Sequence, residues 1–168
     1  MLILDGERFT SGRSRFLDQH PRFLEPTAKV FVKVAFPEIQ DSVMAQVDTG
    51  AAYSTLEPEI AEALGLFAWK GQSTRISTRL GTVGGQLLRI PLALIADEGM
   101  SLDLEATFFV SRDWTGVTFL GYVGLLDRLR IALDSPSNLF YFGEVGSLAT
   151  PSVSTEGTLP GSARRSRP

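Results

Sequence analysis

Val30, Val32, Val34 and Phe36 alternate with Lys29, Phe31, Lys33 and Ala35, the two-residue period of a strand with one buried face. A turn at Pro37-Glu38-Ile39-Gln40-Asp41 follows, and Val43, Ala45 and Val47 resume the alternation, so this stretch reads as a β-hairpin. The period then changes. In Pro58 to Gly65, Ile60, Ala63 and Leu64 share one helical face, Pro58 stands in the first turn and Gly65 ends the run. Further strands are expected near 74–80, 86–95 and 101–110. The last is the cleanest, with Leu102, Leu104, Ala106, Phe108 and Val110 on one face. A helical turn around Leu125–Leu129 leads to strands at 130–134 and 139–143, joined by Ser135-Pro136-Ser137-Asn138. The pattern predicts an all-β fold with one or two short helices and no internal repeat.

The two ends depart from this pattern. Residues 1–27 mix Arg13, Arg15 and Arg22 with Phe9, Phe16 and Phe23, and read as an N-terminal extension lying over a domain of residues 28–146. Residues 147–168 are rich in Ser, Gly and Pro and finish on Arg164-Arg165-Ser166-Arg167-Pro168, the composition of a disordered basic tail. A chain of 168 residues suits one domain, and 43% hydrophobic residues with a net charge of -3 are those of an ordinary globular protein.

Counting residues removes several chemistries. The chain has no Cys, which excludes disulfides, thiolate metal sites and a Cys nucleophile. Its one His, His20 in Gln19-His20-Pro21, reads as an exposed loop residue, so neither a Ser-His-Asp hydrolase nor a multi-histidine metal site is expected. No phosphate-cradling Gly motif and no basic stripe occur, which argues against nucleotides and nucleic acid. No apolar run reaches membrane-spanning length, and Met1-Leu2-Ile3-Leu4 lacks a preceding basic region, so a cytoplasmic location is expected. Carboxylates, hydroxyls and backbone remain, with no metal or cofactor.

One string concentrates those groups: Ala45-Gln46-Val47-Asp48-Thr49-Gly50-Ala51-Ala52-Tyr53-Ser54-Thr55-Leu56. An apolar strand delivers Asp48 into a Gly-bearing turn, where Thr49 can hydrogen-bond neighbouring backbone and Gly50 lets a second backbone or a substrate come close. Asp-Thr-Gly alone also serves as a plain turn. Two further features follow in order. Leu80-Gly81-Thr82-Val83-Gly84-Gly85-Gln86 reads as the Gly-rich tip of a mobile hairpin, and Phe119-Leu120-Gly121 ends an apolar strand before the short helix.

From Ala28 to Gly143 the chain resembles the retropepsin-like aspartic proteases, the single-domain relatives of pepsin. The resemblance implies a closed β-barrel, the acid-protease fold. It implies that Asp48 is catalytic within Asp48-Thr49-Gly50 and that Thr49 hydroxyls cross-link two such turns. Ala51, Ala52 and Tyr53, with Thr82, Val83, Gly84, Gly85 and Gln86 of the flap, would bind an extended polypeptide. Phe119, Leu120 and Gly121 would support the active-site turn from beneath. The retroviral members carry two acids where this chain has Ala52 and Tyr53, and an Arg where it has Tyr122, so substrate anchoring is expected to differ.

Such chemistry needs two carboxylates sharing one proton, and this chain carries one Asp-Thr-Gly. The second is therefore expected from Asp48 of another copy in a two-fold homodimer. The expected function is aspartic endopeptidase. The alternative is a retropepsin-like dimerisation or peptide-binding module with little or no hydrolysis.

Overall fold

The computed structural model describes residues 1–20, 22, 29–78 and 81–145. The predicted tail at 147–168 and part of the N-terminal extension lie outside the described residues. In chain order the elements are β1 (Ile3–Leu4), β2 (Glu7–Arg8), β3 (Gly12–Arg15), β4 (Phe31–Ala35), β5 (Val43–Val47), β6 (Ser54–Thr55) and α1 (Pro58–Ala63). Then come β7 (Gln72–Thr78), β8 (Gly81–Leu94), β9 (Glu98–Gly99), β10 (Leu102–Val110), β11 (Phe119–Leu120), β12 (Leu129–Asp134) and β13 (Leu139–Glu144). Single 3-10 turns lie at Leu66–Ala68, Leu126–Arg128 and Ser135–Ser137.

Six strands close on themselves in the order β10, β6, β11, β5, β4, β8 and back to β10. Closure removes exposed edges from that ring. The barrel depends on β8, a 14-residue strand. Its first half pairs with β7 as a projecting hairpin, and its second half pairs with β10 and β4. Val32, Val34, Phe36, Ile90, Leu92, Ala106 and Phe108 fill the interior, where Phe36 meets Phe108 edge to face at 6.1 Å. A buried Phe or Leu of this kind stabilises the fold by about 2 kcal/mol.

The described part of the segment before residue 28 is built into the structure. β3 lies between β13 and β9 in a second sheet of order β12, β13, β3, β9. Phe16 joins the main core, and Leu17 exchanges two 2.9 Å backbone hydrogen bonds with Phe31. These contacts change the reading of β4. Its alternation suggested one buried face, but Phe31 on the other face is also fully buried. His20 helps cover it, edge to face at 5.1 Å. The expectation of an exposed His20 is therefore corrected: the residue is only 4% exposed, and its Nδ1 accepts the Arg22 N–H at 3.0 Å.

α1 begins at Pro58, whose missing N–H costs nothing in a first turn. It ends where Gly65 takes the left-handed conformation at φ +65°. Among the described residues no helix is long and apolar enough to cross a membrane.

Candidate active site

Three short strands position Asp48. β11 lies between β5 and β6, parallel to the first and antiparallel to the second. The chain leaving β5 must therefore pass over the end of β11 to reach β6, and Asp48 through Tyr53 make that passage. Backbone hydrogen bonds hold it at both ends. Asp48 N–H donates to the Leu120 carbonyl at 3.0 Å, while Tyr122 and Val123 donate to Ala51 and Ala52, each at 2.8 Å.

Within the passage, the Gly50 N–H donates to Asp48 Oδ1 at 2.9 Å and the Ala51 N–H to the Asp48 carbonyl at 3.2 Å. This Asx-type turn fixes the carboxylate through one oxygen. Among the described residues the second oxygen has no protein partner, which leaves it available for chemistry. Asp48 is half-buried, and Thr49 and Gly50 are exposed. The Thr49 hydroxyl makes no hydrogen bond among the described residues, so the expected bond to neighbouring backbone is not formed within one chain.

Gly121 is required by close approach. A Cβ there would collide with the Tyr53 carbonyl carbon and oxygen. Its N–H donates to the buried Ser54 Oγ at 3.0 Å, so a hydroxyl on β6 locks the Gly121 corner beneath the Asp48 turn. Sequence reasoning missed Ser54, because a lone hydroxyl after Tyr53 does not show which backbone it will meet. It also missed the buried pair Thr118 and Glu57, to which an exposed Arg22 is bonded. Thr118 Oγ1 accepts the Glu57 N–H at 3.3 Å and donates to Glu57 Oε2 at 3.2 Å, and Arg22 reaches Glu57 Oε1 at 2.8 Å. This cluster joins the N-terminus of α1 to the residue before β11.

The flap is displaced from its expected position. Thr78 pairs with Gly81, and the two residues between them, Leu80 included, lie outside the described residues. Thr82, Val83, Gly84, Gly85 and Gln86 form the returning arm, opposite Ser77, Ile76, Arg75, Thr74 and Ser73. Gly81, at φ +130°, serves the reversal. Gly85 serves packing instead, since a Cβ there would lie 2.5 Å from the Val110 carbonyl oxygen and 2.6 Å from the Phe109 ring. Ser111 Oγ donates to the Gly84 carbonyl at 2.7 Å, and Gln86 Oε1 accepts the Gly71 N–H at 2.8 Å, which anchors the base of the hairpin.

The structure thus joins Asp48–Ala52 directly to Phe119–Val123 and sets Thr82–Gln86 on a separate projecting hairpin. No hydrogen bond links the two among the described residues. Among those residues no cluster of three or more His, Asp or Glu could hold a metal ion.

Neither a protein-family model nor a curated protein matches the chain. Among solved structures it is similar to the crystal structure of a retropepsin-like aspartic protease from Rickettsia conorii, with a TM-score of 0.52 and 17% identity. The match covers 77% of this chain and 98% of that one. The fold is the retropepsin-like one: mostly β, a closed six-stranded barrel and few helices.

Proposed function

We propose that the protein is an aspartic endopeptidase that works as a two-fold homodimer. The observation that carries this reading is the Asp48 turn. Its carboxylate is held by the Gly50 N–H, supported from beneath by Leu120 and Gly121, and open on its other oxygen. In the dimer the protonated Asp48 polarises the scissile carbonyl, while the ionised one takes a proton from the water between them. The roles exchange as the amine leaves. The rate then passes through a maximum where the pair holds one proton. The exposed Thr49 hydroxyls lie free to cross-link the two turns, and the hairpin arm from Thr82 to Gln86 closes over an extended polypeptide. Ala51, Ala52 and Tyr53 line the cleft, so its wall beside Asp48 is uncharged.

The test is cleavage of a peptide library between about pH 3 and pH 8, comparing wild type with Asp48→Asn. The amide keeps an oxygen for the Gly50 N–H, so stability should change by less than about 1 kcal/mol while cleavage falls by about 10³-fold or more. Equal cleavage by both proteins would remove Asp48 from the mechanism. Absence of cleavage by a dimeric wild type would favour the non-catalytic binding module.

A further inference from the structure

The hairpin of β7 and β8 continues the barrel wall, so the wall fixes which of its faces turns inward. β8 pairs with β10 from Leu94 back to Gln86 and with β7 from Leu87 back to Gly81, and neither ladder skips a residue. Side chains two apart therefore share a face along the whole strand. Leu94, Leu92, Ile90 and Leu88 are buried in the barrel core. The same face continues along β8 through Gln86, Gly84 and Thr82, and across the hairpin through their partners Ser73, Arg75 and Ser77. A polypeptide held between the hairpin and the Asp48 turn lies against this inner face.

The two faces differ in chemistry. Ile76 and Val83 stand opposite each other on the outer face, beside Leu87, and all three are half-buried. On the inner face Ser73, Arg75, Ser77, Thr82 and Gly84 are exposed. Among the described residues of the hairpin, Arg75 is the only charged one. Its partner across the hairpin is Gly84, where nothing lies within 4 Å of the place a Cβ would take, so the guanidinium has room to swing. An arginine on an edge strand also hinders unwanted strand pairing, a service that either face could give. Its place on the inner face, opposite a glycine, points to a ligand.

The chain supplies this guanidinium with no carboxylate. Arg75 has no ion pair among the described residues. From Ala63 to Ala96 the sequence carries four basic residues, Lys70, Arg75, Arg79 and Arg89, and no acid. Glu62 of α1 is held by Arg112 at 3.0 Å, and Glu105 of β10 by Arg89 at 3.3 Å. The wall beside Asp48 is Ala51, Ala52 and Tyr53, which are uncharged. A guanidinium takes a carboxylate through two parallel hydrogen bonds, a geometry that neither an amide nor an apolar side chain satisfies as well.

We infer that Arg75 is a specificity-determining residue, which selects substrates carrying an Asp or Glu side chain near the scissile bond. This rests on the dimeric protease reading and names its substrate class, acidic peptides. Two-fold symmetry sets one Arg75 on each side of the cut, so acids should be favoured at equal distances on both sides of it.

The test gives the full-length protein matched peptides that differ only by Glu against Gln, at each position in turn, at about pH 6 where a Glu side chain is ionised. At the position Arg75 reads, wild type should cut the Glu peptide with a kcat/KM at least about tenfold above its Gln twin. That ratio should shrink in about 0.5 M salt. Arg75→Gln should bring it to about one, Arg75→Lys should keep part of it, and Arg75→Glu should turn the preference toward Lys at the same position. Each ratio compares two peptides cut by one preparation, so a partly unfolded or weakly dimeric variant does not move it. A wild-type ratio near one at every position, or a ratio that Arg75→Gln leaves unchanged, overturns the inference, while the cleavage itself leaves the protease reading intact. A dimeric wild type that cuts none of the peptides overturns both.

Discussion

At Gly121 the absence of a side chain is a structural requirement. The Tyr53 carbonyl occupies the place a Cβ would take, and the Gly121 N–H reaches Ser54 Oγ at 3.0 Å. Gly121→Ala should therefore push the Asp48 turn off β11 and destabilise the protein by about 3 kcal/mol in chemical denaturation. A loss under about 0.5 kcal/mol would mean that the two strands are not in contact. At this scale the sequence was informative where a residue type has few uses. An apolar strand ending in Asp48-Thr49-Gly50 and another ending in Gly121 both announce backbone that must turn or be approached. Ser54, Glu57 and Thr118 gave no such sign, since hydroxyls and carboxylates bond to whatever the fold brings near. His20 misled for the same reason: its neighbours in sequence, Gln19 and Pro21, suit a loop, while Phe31 buries it.

The β7–β8 hairpin makes the same point for elements. Gly81, Gly84 and Gly85 all resemble turn residues in the sequence, but pairing of Thr78 with Gly81 assigns only the first to the reversal. Gly84 lies on the arm with nothing within 4 Å of a Cβ, and Gly85 packs against Val110 and Phe109. Gly84→Ala should therefore be tolerated within about 0.5 kcal/mol, and Gly85→Ala should cost about 2 kcal/mol, both read from thermal or chemical unfolding. Equal costs would contradict the register. The long strands with clean alternation, such as β10, were legible because one face meets the core all along them. β3 was not. Gly12-Arg13-Ser14-Arg15 shows no apolar alternation, and its partner β13 lies at the far end of the described chain, beyond the reach of any local pattern.

For the whole molecule, the governing fact is that one chain supplies one Asp48 turn. A closed barrel fixes that turn firmly, yet the proposed chemistry needs two of them facing each other, so on that proposal activity should belong to a pair of chains and fall as they separate. Mixing wild type with Asp48→Asn tests this directly. In an equal mixture that has exchanged subunits, about a quarter of the dimers carry two Asp48 carboxylates. Peptide cleavage at fixed total protein should then fall to about a quarter of the wild-type rate. A fall to only about half would show that each chain cuts alone, and would contradict a shared dyad.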